Sequence, residues 1–345
     1  MPPTLYNRLS SIVKKQEEVE APMLSTTLVV ALSVAYTALF VLPFYLSPTT
    51  RPSPTLSRDA PSVIRERIRF VTASITVSTC ITSYMLSTRS DDTISTIAHS
   101  LGLYPINLFS ILKTLFLTAL LFAGPLFEKG VAEGGHREWL NGRLLQETLS
   151  SWIGWRNYIA GPFTEELLFR SNIVSLHTHA RPLLPAATLT FATPLYFGIA
   201  HVHHFYEYKL THPYTPWLPA LLRSVIQFGY TTVFGWYATF IFLRTGSLWA
   251  VVLIHAQCNW MGLPRIWGRV GGLEVQGGVV GGPTRGKEDS GTNQNAEEER
   301  LGFVWTVMYY SILVVGAFAW WQCLWILTES DTALADIKPP LPQAR

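Results

Sequence analysis

Long uncharged stretches alternate with short polar ones along this chain, and the first of them, residues 24–46, contains no Asp, Glu, Lys or Arg. A helix needs about 20 mostly apolar residues to cross the hydrocarbon core of a bilayer, and this stretch meets that length. The segment before it carries Lys14, Lys15, Glu17, Glu18 and Glu20, so the stretch reads as a span and not as the core of a signal peptide. Further candidates are 70–87, 101–127, 224–243, 247–263 and 303–328, the second of these interrupted by Lys113, which is expected to snorkel or to pair with an acid. Two more helices, about 162–179 and 183–202, are apolar but carry Glu165, Glu166, Arg170 and His201. The pattern predicts an all-α, polytopic membrane protein with about eight transmembrane helices. An even count would place both termini on one side.

Around these spans the chain divides simply. Residues 1–23 form a polar segment in which Leu5, Leu9, Ile12 and Val13 recur at helical spacing, as in an amphipathic helix on the membrane surface or a frayed terminus. Residues 24–264 make up the membrane helical domain. Within it, 47–69 is a proline-containing loop with Arg51, Arg58, Arg65, Arg67 and Arg69, an excess of arginine that points weakly to a cytoplasmic face. From 271 to 300 the composition turns to Gly, Asn, Thr and Glu, and 265–301 is read as a flexible Gly-rich loop. It has no Lys-Ser/Thr ending between a strand and a helix, so it is no phosphate cradle. The last span occupies 302–328, and 329–345, with Pro339-Pro340-Leu341-Pro342, reads as a disordered tail. No internal repeat suggests a transporter of two related halves.

Composition agrees with a bilayer. The chain is 48% hydrophobic and 14% charged, against roughly 25% charged in an average soluble domain. The net charge of +3 is spread over loops with no basic stripe, which gives no case for nucleic-acid binding. Cys80, Cys258 and Cys323 all fall in predicted spans, where they read as small buried apolar side chains and not as a disulfide or zinc framework.

Charges within hydrocarbon cost about 2.5 to 3.5 kcal/mol each even on insertion-based scales, so each needs a reason. In the first cluster, Gly161 to Arg170, Pro162 suits a first helical turn and Thr164 a cap. Glu166 and Arg170 stand four apart and can neutralise one another, leaving Glu165 about 100° away around the helix with no partner of its own. An unpaired, desolvated carboxylate makes a good general base near neutral pH, whereas the same two acids at the water interface would only cap the helix. The second cluster is His201, His203 and His204 with Glu207 beyond, at the end of a wholly apolar helix; His201 is the deepest, and the others suit an interfacial or supporting place. In the third, His255 and Asn259 share one face near the middle of an uncharged span, placed either for chemistry or for interhelical hydrogen bonds. Together the clusters supply a base, imidazoles and amide donors on separate helices, the inventory needed to hydrolyse an amide.

The order Glu165-Glu166-x-x-x-Arg170, Phe197-x-x-x-His201 and His255-x-x-x-Asn259, each on a membrane helix, resembles the motifs of the CAAX protease and bacteriocin-processing superfamily. More narrowly, 197–204 and 255–264, with Met261 and Gly262, resemble the eukaryotic type II CAAX prenyl endopeptidases, also called Ras-converting endopeptidases. The motif-bearing part is 158–264, with no departure at a motif position. The resemblance implies a membrane-embedded catalytic cavity in the endoplasmic reticulum membrane, open to the cytosol. It further implies removal of the last three residues of farnesylated or geranylgeranylated CAAX proteins, Ras-like GTPases among them. Carried onto this chain, Glu165 with His201 activates water, His255 and Asn259 stabilise the oxyanion, and Glu166, Arg170, Phe197 and His204 support them. No cofactor is implied. Clefts lined by Phe, Trp and Tyr would suit an isoprenoid, although interfacial belts are the commoner use of such residues.

Three other readings remain open at this level. Glu165, His201 and His255 could instead be zinc ligands with water in the fourth position, although the His-Glu-x-x-His arrangement is absent. A transporter or lipid-binding scaffold could use the same charges to line a pathway or lock helices. A serine peptidase is disfavoured, because no Gly-x-Ser-x-Gly stands on a suitable helix.

Overall fold

The computed structural model describes residues 24–88, 93–270 and 301–338. Among them the regular structure is helical throughout, with one isolated parallel bridge between Ser25 and Arg181. The amphipathic segment expected within 1–23, most of the Gly-rich loop and the last seven residues lie outside the described residues.

Three helices are long and apolar enough to cross a membrane: Thr26–Leu46, Pro61–Ser87 and Phe303–Leu327. The stretch 101–127 does not form one straight span. Asn107 caps a helix at Leu108–Leu121, which meets Ala123–Ala132 at 82°. Pro125, which has no backbone N–H, lies just past that bend. The pair counts as a fourth crossing if the bend is taken within one span. The other apolar stretches are helical but differently built. Pro194 divides 183–202 into Ala186–Ala192 and Pro194–Ala200. Ser247 and Gly262 bound Leu248–Met261, whose 14 residues extend only about 21 Å. The region 224–243 lies within the longer Trp217–Thr245, which buries Gln227, Thr231, Thr232 and Thr239.

The helix bearing Glu165 and Glu166 is the axis of the molecule. It begins at Trp152, where the Ser151 side chain accepts from the Gly154 N–H, and not at Pro162 as the capping pattern suggests. Thr164 is no cap; its hydroxyl donates to the Ala160 carbonyl at 2.7 Å. A widened π turn at Arg156–Ala160 carries the chain past Gly161 and Pro162, and a second follows at Leu167–Val174. A π turn relaxes the i to i−4 ladder, so the missing N–H of Pro162 does not end the helix.

Leu168, Ile173, Val174 and Leu176 on this helix are fully buried and join the two apolar clusters of the interior. Its polar residues are tied outward. Ser171 and Ser175 donate to the carbonyls of Leu101 and Ser100, and Asn172 donates to Thr79 Oγ1 at 2.9 Å. The outer surface is apolar instead: Val34, Phe116, Val225, Val314 and Phe318 are each more than half exposed. Lipid is their natural solvent, because a bilayer gives apolar side chains no reason to turn inward. The same outward face carries Cys80, which is exposed, while Cys258 and Cys323 are only partly buried; the expectation of three buried thiols therefore does not hold.

Part of the tail expected to be disordered is ordered. Within 329–338, the Leu334 and Ala335 N–H groups donate to the Leu243 carbonyl, and the Thr332 hydroxyl to the Thr245 carbonyl. Arg244 reaches the Ile337 carbonyl at 2.7 Å. Lys113 donates to the Glu329 carbonyl at 2.7 Å and so pairs with the backbone of an acidic residue, not its carboxylate. At the start of the Gly-rich region, Arg265 pairs with Glu128 at 3.1 Å and its N–H donates to Tyr309 Oη at 2.8 Å.

Candidate active site

Glu165 and Glu166 leave the axial helix between its two π turns, on adjacent positions that face different surroundings. Glu166 is fully buried and accepts from Arg170 Nη1 at 3.2 Å, as the four-residue spacing predicts. It also accepts from His255 Nδ1 at 2.6 Å. A carboxylate engaged by a guanidinium accepts only, so Nδ1 of His255 carries the proton. The opposite ring nitrogen, Nε2, lies 3.8 Å from Glu165 Oε2. Glu165 is thus not isolated, as its sequence position suggests: one imidazole stands between the two carboxylates, hydrogen-bonded to one and facing the other. Glu165 remains 22% exposed at its side chain while Glu166 is at 0%. That difference separates a carboxylate able to meet a substrate from one sealed into the interior.

The guanidinium of Arg170 is 1% exposed and lies 4.6 Å from the Phe197 ring centroid and 5.5 Å from that of Phe234. Its Nη2 has no hydrogen-bond acceptor, and the π faces take that place. Phe197 is the hub of the site, with His201 at 4.5 Å and His255 at 6.3 Å between ring centroids. His201 Nδ1 lies 2.8 Å from the Phe197 carbonyl, which can only accept, so this nitrogen holds the proton and Nε2 is left as a lone pair. His255, at 6% exposure, is buried more deeply than His201, which is only partly buried. Asn259, one turn beyond His255, donates through Nδ2 to the Asn157 carbonyl at 2.9 Å, which leaves its second amide hydrogen for another acceptor.

His204 is drawn away from this centre. Its Nδ1 lies 3.0 Å from Glu207 Oε2, and Glu207 also binds Arg67 at 2.9 Å and Arg58 at 3.8 Å. Burial alone would push the Glu207 carboxyl up, but His204, Arg58 and Arg67 hold it well below the usual carboxylate range. Among the described residues, the group of metal-ligating side chains gathered most tightly is His203, His204 and Glu207, with ligand atoms within 4.8 Å of one another. The two guanidiniums on Glu207 compete with any cation there. Glu165, His201 and His255 do not converge to that degree.

Phe234, Gly235 and Asn157 belong to the site without any mark in the sequence. The Phe234 ring lies 4.6 Å from that of His255. A Cβ on Gly235 would stand 2.6 Å from Pro194 Cβ and 3.3 Å from Arg170 Nη2. Both residues sit in an uncharged stretch of helix, with no ionised neighbour in sequence to single them out. Asn157 contributes only a backbone carbonyl, which no side-chain motif records.

Residues 147–261 match the family model for type II CAAX prenyl endopeptidases, Rce1-like. Probable CAAX prenyl protease 2 of Schizosaccharomyces pombe is 39% identical over 245 residues, 70% of this chain and 83% of its own length. CAAX prenyl protease 2 of Arabidopsis thaliana is 34% identical over 288 residues, covering 75% and 88%. The chain belongs to the type II CAAX prenyl endopeptidase family. The human CAAX prenyl protease 2 is 36% identical over 170 residues, 48% of this chain. No solved structure matches the chain. As a CAAX endopeptidase it is a membrane protease, which sets aside the transporter and scaffold readings. Glu165, Glu166, Arg170, Phe197, His201, His255 and Asn259 all fall within the matched segment of this endopeptidase.

Proposed function

We propose that the chain removes the C-terminal tripeptide from prenylated CAAX proteins by direct attack of water on the peptide bond after the prenylated cysteine. The observation that carries this mechanism is the His255 ring held between two carboxylates in different surroundings. Glu165, the partly open one, takes a proton from the attacking water. His201 accepts the other water hydrogen at Nε2, its Nδ1–H being fixed on the Phe197 carbonyl. As the carbonyl oxygen becomes an oxyanion, His255, acting as an imidazolium with its second proton on Nε2 beside Glu165, donates to it from Nε2, and Asn259 donates its second amide hydrogen. Glu166 compensates positive charge on the His255 ring, as a carboxylate does behind a catalytic imidazole. Collapse of the tetrahedral species breaks the C–N bond, and Glu165 returns its proton to the leaving amine. These donors are anchored before reaction, so little reorganisation accompanies the developing charge.

The prenyl group explains why such an enzyme lies in a bilayer, since the lipid brings the scissile bond to membrane depth. Farnesylated and geranylgeranylated proteins, Ras-like GTPases among them, are the substrates in this reading. The endoplasmic reticulum is the membrane, with the cavity open to the cytosol. The reaction is read as metal-free, because Glu165, His201 and His255, the alternative zinc triad, do not gather as closely as His203, His204 and Glu207. The test is tripeptide release from a farnesylated Cys-a-a-X peptide by the purified protein in detergent, with and without a strong chelator. Wild type is expected to cleave in both conditions and Glu165→Gln in neither. Loss on chelation with recovery on zinc would replace this mechanism by a zinc-dependent one.

A further inference from the structure

The cluster around Arg58 is not used by the mechanism above. The axial helix reaches it through Arg156, whose Nη1 donates to Asp59 Oδ1 at 2.6 Å and to the Arg58 carbonyl at 3.4 Å. On the other side the Arg58 guanidinium lies 3.8 Å from Glu207, which holds His204. The His204 ring is in turn 5.8 Å from that of His201. The segment 58–59 therefore spans from the helix of Glu165, at Arg156 beside the Asn157 carbonyl that anchors Asn259, to the helix His203–Thr211 that follows His201.

The charges there do not balance. Arg58, Arg67 and Arg156 are within reach of one another and face two carboxylates, Asp59 and Glu207. Arg67 and Arg156 are largely buried in their pairs, at 14% and 18% side-chain exposure, whereas Arg58 is 47% exposed with only a long contact to Glu207. One guanidinium is thus left partly exposed to meet an anion. A guanidinium suits a carboxylate, which it can bind by two parallel hydrogen bonds.

We propose that Arg58, backed by Arg67 and Arg156, binds the free C-terminal α-carboxylate of the peptide substrate. This rests on the peptidase reading. Three extended residues separate the scissile bond from that carboxylate, a reach of about 10 Å, and only two side chains, His204 and Glu207, stand between His201 and Arg58 in the series of contacts. The subsite then acts as a ruler: an anion fixed at Arg58 leaves the third peptide bond from the end at Glu165. A chain with no terminus at that point has no partner for the charge.

The experiment compares two farnesylated Cys-a-a-X peptides, one ending in a free acid and one in an amide, cleaved by wild type, Arg58→Gln and Arg58→Lys. Assays run in detergent and in vesicles with and without anionic lipid. Wild type is expected to favour the acid by about tenfold to a hundredfold in kcat/KM, the range for a hydrogen bond to a charged group. In Arg58→Gln the ratio of acid to amide falls toward one, and Arg58→Lys restores part of it. Glu207 keeps Arg67 in Arg58→Gln, so folding is preserved. Equal cleavage of both peptides by wild type overturns the subsite and leaves the peptidase standing. An equal loss on both peptides in Arg58→Gln, or a loss seen only with anionic lipid, also overturns it, in favour of a structural or headgroup-binding role. Cleavage of neither peptide by folded wild type overturns the peptidase reading and the subsite with it.

Discussion

Two adjacent glutamates carry different duties because one helical step turns them into different environments. Glu166 is sealed between Arg170 and His255, and removing its charge leaves a buried guanidinium without a counterion. Breaking such a pair costs about 3 to 5 kcal/mol. Glu166→Gln is therefore expected to lower the thermal unfolding midpoint in detergent as well as activity. Glu165→Gln should leave the midpoint near wild type while tripeptide release disappears; a large loss of stability there would instead make Glu165 a structural residue. Asn259 has one amide hydrogen on Asn157 and one to give. Asn259→Ala is expected to lower kcat by about 10²- to 10³-fold, the usual consequence of losing one oxyanion donor, with KM changing much less. A change confined to KM would contradict its assigned role.

At the scale of helices, the site depends on close approach. The helix Trp217–Thr245 presses against Pro194–Ala200, and a Cβ on Gly198 would meet Thr232 Oγ1 at 2.4 Å and Phe228 Cε2 at 2.9 Å. Gly235 makes the equivalent contact with Pro194 beside the Arg170 guanidinium. Gly198→Ala and Gly235→Ala are each expected to destabilise by about 1 to 3 kcal/mol, as overpacking of a close-packed interior does, read from unfolding midpoints. Gly235→Ala should cost activity more, since the added methyl displaces Arg170 and through it Glu166. The two π turns bracket Glu165 and Glu166 and let the helix pass Pro162 without ending, which links an irregular backbone to the placement of the reactive side chains.

Across the described residues, apolar side chains fill two interior clusters and also cover the outer surface, while polar side chains tie the helices to one another. The C-terminal segment shows how far local stability extends beyond the spans, since 329–338 satisfies the carbonyls of Leu243 and Thr245 and the guanidinium of Arg244. Gly246, at φ +57°, sits beneath this segment, where a Cβ would collide with the Thr332 carbonyl. Deleting 329–345 is expected to lower the unfolding midpoint while leaving the kcat of the surviving folded fraction close to wild type. A selective fall in kcat would place the tail in the catalytic cycle.

The amino-acid pattern alone determined the all-helical membrane class, the apolar stretches that are helical, and the residue types of the site. It could do so because long uncharged stretches and isolated intramembrane charges are costly unless explained, and because Glu166 and Arg170 interact over a local four-residue spacing. Only the tertiary structure decided that His255 stands between Glu165 and Glu166, that His255 lies deeper than His201, and that Phe234 and Gly235 pack against His255 and Arg170. Those facts depend on contacts between helices far apart in sequence, and periodicity along one helix carries no information about which neighbour meets its face. The bends at 122 and 193 and the docked segment after 329 escaped for the same reason: an apolar window measures transfer from water, not the direction the chain takes once buried.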